Sequence, residues 1–201
     1  MTMMFLKKKK VLNVKTYGAP VLKKKAAPVE KIDDEVKEFA NAMIDTMKAF
    51  DGIGLAAPQV GVSRRIVAFG LPTRLDSGKT PPTPGEVLLL PRMPFAVINP
   101  EIISFTDETE IADEGCLSVP EIYAPVTRSL RVTFQATIVD TGETVNIECG
   151  GLLGRCIQHE IDHLNGILFV NRLEDEDTDE IKAELQYLKK SGKKSAFNRQ
   201  S

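Results

Sequence analysis

The chain has 201 residues, with 26 Lys and Arg against 28 Asp and Glu, a formal net charge of −2. That balance argues against wholesale nucleic-acid binding, and a composition 42% hydrophobic and 27% charged suits one globular domain with a sizeable core. No apolar run reaches the roughly eighteen residues that a membrane-spanning helix needs. The opening MTMMFLKKKK is not expected to be a signal peptide, because its lysines follow the short apolar stretch. Three cysteines, Cys116, Cys149 and Cys156, make no disulfide framework, so a reducing cytoplasm is the expected compartment.

Residues 11–29, broken by Gly18, Pro20 and Pro28, read as an irregular wrap. An amphipathic helix is predicted from about Asp33 to Phe50, where Val36, Phe39, Ala40, Met43, Ile44, Met47 and Phe50 recur at helical spacing before Gly52. The methionines of that stripe are read as core. RRIVAFG at 64–70, EVLLL at 86–90 and FAVIN at 95–99 are predicted strands. Most of the proline-rich segment 71–94 is expected to be a long surface insertion. Residues 101–112 and 129–148 supply further strands, with VDTGET a hairpin turn around Asp140 and Gly142. A helix from about Leu152 to Asn165 stops at Gly166, and a last one, roughly Thr178 to Lys190, leads into a basic polar tail at 191–201. The acidic run from Glu174 to Glu180 and the lysine clusters read as solvated surface. The pattern is α+β: antiparallel or mixed β-sheets packed around a central helix carrying HEIDH, with an N-terminal amphipathic helix and a C-terminal helix. One domain over 1–201 is expected.

GRCIQHEIDHLNG at 154–166 holds both histidines. Residues four apart share a helix face, so His159 and His163 can grip one metal ion with Glu160 beside it to handle protons. A catalytic metal usually takes three protein ligands and keeps one position open. Cys156 lies on the right face, but stands roughly 10 Å along the axis from His163 and reads better as core. Phe169 occupies the place of a third histidine in the longer metalloprotease pattern. Glu180 or Glu184 would serve the other common layout, yet no apolar residue between Leu173 and Asp179 would bury such a site. Of the remaining cysteines, Cys116 in DEGCLSVP is favoured over Cys149 in IECGG, which equally suits a strand end facing the core. A thiolate with two imidazoles suits zinc and also ferrous iron.

Three motifs together, GIGLAAPQ at 52–59, EGCLS at 114–118 and HEIDH at 159–163, resemble in order and character those of the peptide deformylases. Softer similarity runs from about residue 11 to 173. The resemblance implies that Cys116, His159 and His163 hold the metal, ferrous iron by family habit, with Zn2+, Ni2+ or Co2+ as substitutes. It implies Glu160 as general base and acid. Gln59 would be the side-chain donor to the oxyanion, beside the backbone N–H of Leu117. Gly54 and Gly115 would let the substrate lie against the backbone, and Ile53 and Leu117, with the helix surface around Cys156, would line a methionine pocket. The implied reaction removes the formyl group from the initiator methionine of nascent chains, with transient ribosome contact and neither DNA nor membrane as partner.

Two rival readings stand beside it: an HExxH endopeptidase using Glu180 or Glu184, and an inactive relative binding ribosomes through its basic ends. Each residue also has a plain structural role to set against the functional one, Gln59 as a loop residue above all. Two departures stand out. Tyr123 stands where many bacterial relatives have an arginine, and Arg155 on the buried helix must find a partner.

Overall fold

The computed structural model describes residues 10–73 and 81–191. After the wrap, which includes a 3₁₀ turn at Pro20–Lys23, helix α1 spans Asp34–Ala49. Asp33 caps it, its side chain accepting from the Val36 N–H at 3.0 Å, worth about 1 kcal/mol. Met43 and Met47 are fully buried on its inner face, as core.

Strands β1 (Gly54–Ala56), β2 (Ile66–Phe69) and β3 (Phe95–Phe105) follow, the last two separated by helix α2 (Pro84–Leu89). Then come β4 (Thr109–Cys116), β5 (Val119–Ser129), β6 (Arg131–Ile138) and β7 (Thr144–Gly150). The central helix α3 is Gly151–Leu164, and α4 (Asp175–Glu180) and α5 (Lys182–Ser191) close the described chain. One antiparallel sheet runs β1-β2-β3-β6-β7, and β4 and β5 pair as a separate long hairpin.

The period of two along a strand explains why the first sheet is covered on both faces. Val67 and Phe69 of β2, with Phe95 and Val97 of β3, turn to the α3 side. Their neighbours Ile66, Ala68, Ala96 and Ile98 turn to α1. Strands β6 and β7 contribute to the α3 side only, through Val132, Phe134, Ala136, Val145 and Cys149. A third apolar cluster ties β5 to the turn at Phe169–Asn171 and to α5 through Leu185. The central helix is therefore gripped from two sides, by the large sheet and by the hairpin.

The segment 86–90, predicted as a strand, is helical. Thr83-Pro84-Gly85-Glu86 forms a capping box with proline in the first turn, a helix start. Leu89 and Leu90 are buried while Val87 and Leu88 are exposed, a spacing that no strand produces. Thr83 Oγ1 also accepts from the Gly150 N–H at 3.0 Å, fastening this helix to the start of α3. Residues 74–80 of the insertion and 192–201 of the tail lie outside the described residues. A strand over 119–129 was not predicted. Pro120 and Pro125 mask it, and both are tolerated because β5 pairs on one side only, with β4. The expected single terminal helix is two, divided at Ile181. Among the described residues, no helix is long and apolar enough to cross a membrane.

Candidate metal centre

Helix α3 places His159 and His163 one turn apart on its buried face, with ring centroids 4.9 Å apart at 76°. Their Nε2 atoms face each other at 3.2 Å. The β4–β5 hairpin bends at Cys116 and brings its Sγ to 3.2 Å from His163 Nε2. All three donor atoms lie within 4.8 Å of one another. Metal–nitrogen and metal–sulfur bonds of about 2.1 and 2.3 Å in a tetrahedron set neighbouring donors about 3.3–3.6 Å apart. The triangle fits a single divalent ion. Among the described residues, these three form the one His/Cys/Asp/Glu group that could hold a metal. Cys149 is buried at the end of β7, and Cys156 places its Sγ 3.8 Å from the Ile53 carbonyl. Glu180 and Glu184 are exposed, and neither belongs to a metal-holding group. Phe169 packs its ring on His159, with centroids 6.3 Å apart at 23°, and so backs the ligand.

His159 Nδ1 lies 2.8 Å from Glu114 Oε2. Burial alone would raise the Glu114 pKa, but hydrogen bonds from Arg128 and His159 outweigh it and hold the carboxyl down at about 2. The ionised carboxylate can only accept, so Nδ1 carries the proton and Nε2 is directed to the metal triangle. Burial works against a charged His159, yet bonds to Cys116 and Glu114 raise its pKa. A dication among the three donors would compete with that proton. His163 is pushed the other way, by burial and by the neighbouring His159, and stays neutral.

Glu114 is held in turn. Arg128 donates to both its oxygens at 2.9 Å, and Arg155 donates to Oε1 at 3.0 Å. Arg155 also reaches the Val126 carbonyl at 2.9 Å and the Glu110 carboxylate at 3.3 Å. These are the partners that its place on a buried helix demanded. Arg128 continues to Asp162, which also takes Arg172. Sequence reasoning missed Glu114, although it begins the EGCLS stretch. The signal was available, since a metal-binding histidine usually donates its other nitrogen to a carboxylate or carbonyl.

Beside these supports, with Glu114 and Arg155 in its wall, lies a cleft of about 1010 Å³. Glu160, 3% exposed, lines it, and its Oε2 has no hydrogen-bond partner. Burial raises the Glu160 pKa to about 7. Gln59 sits in the 3₁₀ turn Ala57–Val60, where its Oε1 accepts from the Ala56 N–H at 2.7 Å. Its Nε2 points to Cys116 Sγ at 3.4 Å. The Leu117 N–H, at the tip of the hairpin, donates no hydrogen bond within the described residues. Leu117 and Ile53 line the cleft as half-buried and exposed apolar side chains, with buried Cys156 behind. Gly54 is obligatory, because a Cβ there would stand 2.3 Å from Glu160 Oε1. Gly115 is constrained by another neighbour, since its Cβ would meet the Tyr123 ring at 2.4 Å. Tyr123 is 70% exposed on the cleft rim. Every residue that the three-motif resemblance assigns to the site lines this cleft, except His163, which joins Cys116 and His159 in the donor triangle; Glu180, Glu184 and Cys149 do not line it.

Comparison with known proteins gives a consistent result. A family model described as polypeptide deformylase matches residues 11–179. A peptide deformylase of Thermotoga sp. (strain RQ2) is 44% identical over 162 residues, covering 80% of this chain and 85% of that protein. Among solved structures, the peptide deformylase of Thermotoga maritima is 41% identical with a TM-score of 0.68, covering 82% of this chain and 98% of that one. That of Ehrlichia chaffeensis is 32% identical with a TM-score of 0.77, covering 90% of this chain and 98% of that one.

Proposed function

The chain belongs to the polypeptide deformylase family, a metal-dependent hydrolase acting on formylated nascent peptides, and from that premise we propose how its own residues divide the work. The observation that carries the reading is the Cys116–His159–His163 triangle with the unpartnered Glu160 Oε2 beside it. The proposed ion is ferrous iron, with zinc, nickel or cobalt as substitutes, because one thiolate and two imidazoles suit each of them. When bound, such an ion supplies Lewis acidity and lowers the pKa of a water at its open position.

The rest falls to side chains and backbone. Glu160 accepts on Oε2 the proton of the attacking water and returns it to the leaving amine as formate departs. A group whose buried pKa is near neutral serves both steps. Gln59 Nε2 and the Leu117 N–H donate to the oxyanion that develops on the formyl oxygen. One such fixed donor contributes about 3 kcal/mol to transition-state binding. Ile53, Leu117 and the α3 surface around Cys156 receive the methionine side chain, and Gly54 and Gly115 leave room for the peptide backbone. Tyr123 faces the residues that follow.

The proposed setting is the cytoplasm. A weak, salt-sensitive contact with the ribosome would run through Lys189, Lys190, Lys193, Lys194 and Arg199 of the C-terminal region. The test of the function is formate release from formyl-Met peptides by anaerobically purified protein, with metal analysis of the same sample. Cleavage of internal peptide bonds without formate release would return the HExxH endopeptidase reading.

A further inference from the structure

A second cleft, of about 730 Å³, lies on another face of α3, where Gln158, Ile161, Asp162 and Asn165 turn away from the metal ligands. Its volume is in the range of small-molecule sites, about 300–1,000 Å³. Ile102 and Phe105 of β3, with Ile161 and Ile167, give it an apolar wall, and Phe105 is 59% exposed. None of these residues lines the metal cleft.

The cation at this wall is Arg65, only 9% exposed. Its guanidinium donates to Asn165 Oδ1 at 3.1 Å and to the Pro100 carbonyl at 2.8 Å, both neutral acceptors. Among the described residues it forms no ion pair. The other arginines of this region are balanced: Arg128 between Glu114 and Asp162, Arg172 on Asp162, Arg155 on Glu114 and Glu110. Arg65 is the cation left without a counter-charge in contact, and a guanidinium has five donors, of which two are used here. Burial draws its pKa down, against the pull of Glu101 on the rim. Exposed Lys25 also lines this cleft.

We propose that this cleft binds a small organic carboxylate, its head on Arg65 and its hydrocarbon body against Ile102, Phe105, Ile161 and Ile167. The planar fork of an arginine matches a carboxylate in two parallel hydrogen bonds. The apolar wall gives nothing to a bare anion, whose hydration would be lost without return. Selection therefore favours an anion with a hydrocarbon tail over inorganic phosphate or formate.

The probe is hexanoate, titrated into the full chain loaded with zinc and followed by backbone amide spectra. Saturable shifts are expected at Thr127, Ser129, Asn165 and Ile167, with phosphate and formate at least tenfold weaker there. Arg65→Gln should weaken hexanoate binding at least tenfold. Phe105→Asp, at an exposed position, should do the same and serves if Arg65→Gln fails to fold. Shifts confined to Gly54, Leu117 and Glu160 would overturn the proposal, as would hexanoate binding to Phe105→Asp with unchanged affinity. Phosphate binding as tightly as hexanoate would overturn it too.

Discussion

Glu114→Gln keeps the volume of the side chain and removes the charge that orients His159. In the native arrangement one carboxylate accepts from His159 Nδ1, from two nitrogens of Arg128 and from Arg155, all at 2.8–3.0 Å. An amide offers one oxygen to those four donors and points an N–H at one of them. The carboxyl pKa is held down at about 2, well below the ordinary glutamate value of about 4.3, and that depression corresponds to about 3 kcal/mol. The sign is that of a depressed acid. Its contribution is complete above the unfolded pKa and is lost as the pH falls through about 2. Urea unfolding of the wild-type chain, stripped of metal, should therefore weaken progressively from pH 4.5 towards 2. The Glu114→Gln variant should start about 3 kcal/mol lower at pH 7 and lack that acid limb. Its metal affinity, measured by competition with a chelator, should fall about 10–100-fold. Asp162→Asn is the control, since it also strips a carboxylate from Arg128 but makes no contact with His159. Equal metal affinity in Glu114→Gln and Asp162→Asn would refute the orienting role and leave Glu114 a contributor to stability alone.

Four further outcomes are expected. Glu160→Gln should keep one metal per chain and lose nearly all formate release, because an amide cannot accept the proton of water; normal hydrolysis by that variant would remove the acid and base role. Gln59→Ala should lower kcat about 100-fold or more at full metal content, the effect of one lost oxyanion donor, and unchanged turnover would return Gln59 to supporting its loop. Cys116→Ser should lose tight metal binding while Cys149→Ser and Cys156→Ser retain it, as metal content of the three proteins purified without oxygen would record. Ending the chain after Leu188 should reduce ribosome co-sedimentation at low salt and leave hydrolysis of small peptides intact; equal sedimentation would make the C-terminal region a solvated end.

How much of this was legible in the sequence depended on what each residue's chemistry advertises. The metal face of α3 was readable because two histidines four apart share one face of a helix. The ligand count asked for a third donor, but chemistry alone left Cys116 and Cys149 both open, and it was the resemblance carried by EGCLS that implied Cys116. Helix α1 was readable from its apolar period and the Gly52 that follows it, and the structure adds the Asp33 cap. The segment 86–90 misled because a run of apolar residues looks alike in a strand and in a short helix, and only the Thr83–Glu86 capping box separates them. Strand β5 does alternate, burying Ile122, Ala124, Val126 and Arg128, but two prolines and a charged residue in a buried place disguise it.

That buried charge is the deeper reason for the gap. Glu114, Arg128, Arg155 and Asp162 are each less than 9% exposed, whereas a charged residue read singly belongs in water. Only the pairing of β4, β5 and α3 shows that each neutralises another. Apolar side chains of similar volume would hold the hairpin to the helix at least as well, because desolvating such ions costs about what their attraction returns. They would not accept the Nδ1 proton of His159 and so fix which nitrogen faces the metal. The arrangement makes sense as a support for the ligand, with stability a consequence, and the paired Glu114 and Asp162 variants separate those two roles.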